Sequence, residues 1–154
     1  MAVEASAVAA GKSVGRGVGF QPNAAQRKAI ELWAMKLARR ALQQWGWEKV
    51  TDVSSERSYD FHCQSGDDEL YVEVKGTTSN GSQLILTRNE IEHTRSTYPN
   101  TALAIVTNIN PGLHGEGPSG GQVAFLYPWM IDEGRLSPIS YVYMTPTDET
   151  ELWA

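Results

Sequence analysis

Glu69-Leu70-Tyr71-Val72-Glu73-Val74-Lys75-Gly76 alternates apolar and polar side chains from Glu69 to Lys75. That period of two predicts a β-strand with one buried face. Leu70, Val72 and Val74 point one way; Glu69, Tyr71, Glu73 and Lys75 point the other. Glu73 and Lys75 are therefore neighbours on one face, and a carboxylate beside an ammonium can hold a metal ion and steer a water. A lone E-x-K on a strand is usually an ordinary salt bridge on a solvated face. Asp60, thirteen positions upstream, raises this one above that reading.

Asp60 sits in a second alternating run, Ser58-Tyr59-Asp60-Phe61-His62-Cys63. Tyr59, Phe61 and Cys63 form its expected apolar face, with Asp60 and His62 opposite. Gln64 to Asp68 is a turn-rich connection. A two-residue Gly66-Asp67 turn of type II′ gives a hairpin that sets Phe61 opposite Val72, Tyr59 opposite Val74 and Asp60 opposite Glu73. A register slipped by one residue would put Asp60 among aliphatic side chains, at the cost of burying a charge. The apolar pattern thus brings two carboxylates together with a lysine beside them.

The chain has 154 residues, 41% of them apolar and 20% charged. These are the values of one globular domain with a sizeable core, not of a disordered chain. No apolar run is long enough to span a membrane, and the first residues carry no secretory pattern. The expected location is cytoplasmic. One cysteine, Cys63, excludes an internal disulfide framework, and the widely spaced histidines make no zinc motif. The net charge of −5 argues against an unaided grip on nucleic acid, which rests on Lys and Arg. Carboxylates that hold a divalent metal count against that sum without opposing nucleic-acid binding.

Residues 1–20 read as a flexible N-terminal arm, 21–145 as the domain and 146–154 as an acidic tail; Lys12 and Arg16 of the arm could touch a polyanion. Asn23 is a good N-cap and Gly46 a good stop, so a helix is expected between them. Its apolar stripe is Ile30, Ala34, Leu37, Ala38, Ala41, Leu42 and Trp45. Glu31 borders the stripe. Pattern alone leaves open whether it solvates outward or reaches Asp60 and Glu73. Residues 47–53 read as the first strand, and 54–57 as a turn. After Lys75 comes a Gly/Thr/Ser loop, then a short strand over 82–86. Thr87 and Glu90 form a capping box that opens a second helix, with Ile91, Thr94, Arg95 and Tyr98 on one side. Glu90 is accordingly read as structural. Arg88, His93 and Arg95 read as ordinary surface charge. Residues 101–107 form a continuous apolar run, a strand buried on both faces. A Gly/Pro-rich loop follows over 110–121, then a strand over 122–127, a helical turn over 128–134 and a last strand over 139–144. The order predicts an α/β domain with a mixed central sheet.

The order αβββαβ, with an acid on the second strand and Glu73-Val74-Lys75 on the third, resembles the PD-(D/E)XK nuclease fold, a restriction-endonuclease-like core here with extra C-terminal strands. Ile30 to Met35, Ser58-Tyr59-Asp60, Val72 to Thr78 and Leu86 to Glu90 resemble more closely the domain named after the C-terminal region of the plant protein NO VEIN. This resemblance covers about residues 20–144. It departs from the motif in one place, where Tyr59 rather than proline precedes Asp60.

The resemblance implies a metal-dependent endonuclease acting on DNA in restriction, defence or repair. Asp60, Glu73, Lys75 and Glu31 would be catalytic. Asp60, Glu73 and the carbonyl of Val74 would hold Mg²⁺ or Mn²⁺. A small acidic nuclease would act as a homodimer or beside a helicase or restriction-system partner. The alternative is a nuclease-fold module that has lost catalysis and binds nucleic acid or a partner protein. A further reading makes Asp60, Glu73 and Lys75 a structural ion-pair cluster.

Overall fold

The computed structural model describes residues 23–146. The expected arm, with Lys12 and Arg16, lies outside them, as does all of the acidic tail but Pro146. Helix α1 spans Ala24–Trp45. Strands β1 (Lys49–Asp52), β2 (Phe61–Ser65) and β3 (Asp68–Gly76) follow, then helix α2 (Arg88–Thr97), β4 (Thr101–Thr107) and β5 (Gln122–Leu126). The five strands form one sheet in the order β1-β2-β3-β4-β5. β3 and β4 run parallel, joined by α2; the other pairs are antiparallel. The αβββαβ order and the mixed sheet are those expected.

Local chemistry explains the boundaries. The Asn23 side chain accepts the Gln26 N–H and the Gln26 side chain accepts the Asn23 N–H, closing a capping box. Gly46, at φ 118°, ends the helix in the left-handed region that favours glycine. Phe61 pairs with Val72 and Cys63 with Leu70, the expected register, across a turn in which Gly66 has φ 60°.

The core lies between α1 and one face of the sheet. Ile30, Ala34, Ala38 and Leu42 pack with Phe61, Cys63, Leu70, Val72, Val74, Ala102, Ala104 and Val106. A Cβ on Gly76 would stand 2.5 Å from the Ala34 Cβ, so β3 and α1 meet where neither has a longer side chain. Because side chains alternate, Glu73 and Lys75 emerge on the opposite face, toward α2.

Five expectations are corrected. Tyr59 leaves the apolar face: it precedes β2 in a bend and packs on His93 and Tyr71, ring centroids 4.2 and 5.3 Å away. Trp45 is 42% exposed and drops out of the helix stripe, while Met35 enters it. On α2 the buried residues are Glu90 and Thr94, with Tyr98 exposed. Residues 82–86 make no strand; they are irregular and half-exposed to exposed, without a buried alternating face. Residues 139–144 make none either; Tyr141 to Met144 are more than 80% exposed, and alternation without a surface to bury against does not order a strand.

Candidate functional site

β3 crosses the sheet between β2 and β4, but β2 begins only at Phe61, opposite Val72. Beyond that point the β2 side of β3 has no strand partner. Asp60 fills the gap. Its N–H donates to the Val72 carbonyl, and its Oδ2 accepts the Val74 N–H at 2.8 Å. A strand residue turns its N–H and C=O to the same side. The Val74 carbonyl therefore faces the same open side as Asp60.

Asp60, Glu73, Lys75 and Glu90 are all buried, and Lys75 is fully so. The Lys75 ammonium donates to both carboxylate oxygens of Glu90 at 3.0 Å. It stands 3.5 Å from Glu73 Oε1, yet that oxygen receives no hydrogen bond from the described residues. Glu90 Oε2 also accepts the Thr87 N–H at 2.8 Å, which fixes the carboxylate from the helix end. Two carboxylates thus flank one ammonium, with Asp60 buried in the same cavity wall, an excess of negative charge in a buried place.

The titration of these groups follows. Burial raises Glu73 well above the ordinary carboxylate range; the neighbouring Asp60 charge adds to this, and Lys75 only partly opposes it. Burial also raises Asp60, against the hydrogen bond from Val74. Burial pushes Glu90 upward as well, but the Lys75 ammonium and the Thr87 hydrogen bond outweigh it and hold Glu90 low. Asp60 and Glu73 are like charges lining one cavity, so together they retain a proton or attract a cation.

The carboxylates open into a polar cavity of about 160 Å³. Asp60, Glu73 and Glu90 line it with Arg57, Ser54 and Asn89. Arg57 is exposed and forms no ion pair with any described residue. The cavity has room for a phosphate group and a few waters, each water taking about 30 Å³.

The structure brings Asp60, Glu73, Lys75 and Val74 to one place. Glu31 does not line the cavity; it forms an ion pair with Lys28 at 3.9 Å, on the helix that covers the opposite face of the sheet. Two site residues escaped sequence reasoning. Glu90 was absorbed by its capping box, and its second partner is tertiary. Arg57 lay in an unremarkable turn; its only signal was a cation three residues before Asp60. The basic residues of α2 are engaged elsewhere. Arg88 pairs with Glu92, Arg95 pairs with Glu133, and His93 stacks on Tyr59.

The donor set suits a hard divalent cation. Among the described residues no three His, Cys, Asp or Glu side chains form a metal cluster. Mg²⁺ does not need one: it keeps several waters and is held by one or two carboxylates plus substrate oxygens. Asp60, Glu73 and the Val74 carbonyl are such a set, and the orphaned Glu73 Oε1 is the atom a cation would satisfy.

Among proteins of known family, the family described as protein NO VEIN, C-terminal, matches residues 30–115. No curated protein and no solved structure matches. The match covers more than half of the chain, from the core of α1 past β4, and the chain belongs to that family.

Proposed function

We propose that this NO VEIN C-terminal domain is a metal-dependent nuclease of PD-(D/E)XK type that hydrolyses DNA phosphodiester bonds in restriction, defence or repair. The observation that carries the reading is the buried Glu73 oxygen that receives no hydrogen bond from the described residues, beside Asp60 in a polar cavity. Asp60, Glu73 and the Val74 carbonyl would hold Mg²⁺ or Mn²⁺, which would supply Lewis acidity and lower the pKa of a water.

The chain's own groups do the rest. Val74 N–H fixes one Asp60 oxygen, which leaves the other for the cavity. Lys75 does not line the cavity; its ammonium sits behind Glu73 and Glu90, 3.5 and 3.0 Å away, where low dielectric lets its charge offset negative charge building on a phosphate. Glu90 holds that ammonium in place from α2 and is a positioning residue. Arg57, at the cavity mouth, pairs with the phosphate that the acidic floor alone would repel.

The test is cleavage of plasmid and modified phage DNA in Mg²⁺ and in Mn²⁺, wild type beside Glu73→Gln and Asp60→Asn. Both variants keep the size of the side chain. Cleavage by the wild type, reduced about 100-fold or more in both variants with melting retained, is the expected result. Equal cleavage by all three overturns the reading.

One observation favours the second reading, a nuclease-fold module that binds nucleic acid or a partner without cutting. Lys75 gives its closest contacts to Glu90, which takes the ammonium on both oxygens. That reading expects DNA retardation in a gel and no cutting in either metal.

A further inference from the structure

The opposite end of β3 carries a different constellation. A cavity of about 330 Å³ is lined by Trp45, Trp47 and Tyr127 and by the acidic residues Asp67, Asp68 and Glu69. Five residues of strand, about 17 Å, separate Asp68 from Glu73. We propose that this cavity is a docking site for an arginine side chain of a partner protein, recognised by aromatic stacking and carboxylate pairing together.

The rings come first. Trp45 stands 5.1 Å from Tyr127 and 6.2 Å from Trp47, both nearly perpendicular to it. This cluster is built around the helix end, where Gly46 turns the chain so that Trp45 and Trp47 flank the same corner. Trp45 is 42% and Tyr127 51% exposed, a large apolar expense to leave in water at the surface. Aromatic faces attract cations, and Trp does so best.

The charge comes second. Asp67 in the hairpin turn and Asp68 at the start of β3 are exposed and pair with no cation among the described residues. Glu69 turns its carboxylate to the other face of the sheet, 3.3 Å from both His62 and the Tyr71 hydroxyl, so Asp67 and Asp68 carry the charge here. Among the described residues no lysine or arginine lines the cavity. The last turn of α1, whose carbonyl end carries partial negative charge, contains no basic residue. The field at the cavity therefore has one sign.

The combination selects the ligand. A quaternary ammonium uses ring faces but has no proton for the carboxylates. A lysine ammonium is a compact and strongly hydrated charge that gains less from stacking. A guanidinium lies flat on an aromatic ring and still presents N–H groups in its plane to carboxylates. It uses both halves of this cavity. Trp, Tyr and Arg are also the residues that protein interfaces concentrate in their binding centres, which fits a side chain of a partner and not a free metabolite.

The experiment uses the full chain and the ¹⁵N–¹H signals of its indoles, assigned with Trp45→Phe and Trp47→Phe. It titrates N-acetyl-arginine-N-methylamide, the lysine equivalent, free L-arginine and tetramethylammonium, each at constant ionic strength. The expected result is a saturable shift of the Trp45 and Trp47 signals with the blocked arginine, at lower concentration than with the other three. Asp67→Asn/Asp68→Asn, two surface changes that leave melting unaltered, weakens that binding up to about fivefold. The proposal is overturned if the blocked arginine gives no saturable shift or if the double variant binds it unchanged. A lysine, tetramethylammonium or free-arginine probe that binds more tightly overturns it too. None of these outcomes depends on the nuclease reading.

Discussion

On the α1 side of the sheet, β3 buries Leu70, Val72 and Val74 against Ile30, Ala34, Ala38 and Leu42; on the α2 side the same strand buries Glu73 and Lys75. Hydrocarbon on the first side gains from leaving water whatever the pH. Charge on the second side is stable only while the ions balance. There they do not, because Glu90 completes Lys75 and leaves Glu73 over. The first face holds the fold together. The second is held in place by the first and kept short of its own best arrangement, as sites that must bind something tend to be.

The sharpest way to break the comparison is to remove hydrocarbon from the first face. Phe61 is 1% exposed, opposite Val72, with the Arg39 guanidinium 5.2 Å from its ring. Phe61→Ala is expected to lower unfolding free energy by about 3–5 kcal/mol, measured by urea denaturation. A loss below about 1 kcal/mol would mean that this face is not the core.

A smaller loss is expected from the satisfied half of the second face. Glu90→Gln keeps a side chain able to complete the capping box at Thr87, so it isolates the ion pair. Breaking a buried pair typically costs about 3–5 kcal/mol. Here Glu73 remains 3.5 Å from Lys75 and takes over part of the ammonium, so a loss of about 2–3 kcal/mol is expected by the same urea measurement. An unchanged midpoint would show that Glu73 and Glu90 are interchangeable partners, and the asymmetry between them would disappear.

The first face was legible in the sequence and the second only in part, for a physical reason. Apolar periodicity reports burial directly, and it placed α1, the hairpin register and the two-sided β4. Asn23, Gly46 and Thr87 announced helix ends because capping is local chemistry. The same register set Asp60 near Glu73 and Lys75. Glu90 has the structural role expected of it, and its tie to Lys75 was missed because a residue with one sufficient local role gives no sign of a second, tertiary one. Tyr59 was misread because β2 begins later than the alternation does, and a bend returned its ring to the Tyr71 side. Glu31 stayed open because a helix edge points near two surfaces at once.

The smallest expected effect has the opposite sign and most directly tests the imbalance. Glu73→Gln removes a charge that burial and Asp60 make unfavourable, and its amide can donate to Asp60. It should recover part of the roughly 1–3 kcal/mol that a buried unsatisfied acceptor costs, and so stabilise the metal-free protein at neutral pH. The pH dependence fixes the cause. A carboxyl whose folded pKa is raised binds its proton more tightly when folded. Its contribution to stability is complete below the ordinary carboxylate value of about 4.3 and is lost as pH rises through the raised folded value. Glu90, held low by Lys75, contributes in the other sense: its part is present above the ordinary value and lost as pH falls through the lowered one. Above pH 5 the wild type should therefore lose melting temperature as Glu73 ionises, while Glu73→Gln should hold nearly level. Mg²⁺ at ten times its Kd should return about 1.4 kcal/mol to the wild type at pH 8 and nothing to the variant. A variant that melts lower than wild type across this range would assign Glu73 to the Lys75 ion pair as a full partner. The α2 face would then be a closed structural cluster with no place for a cation.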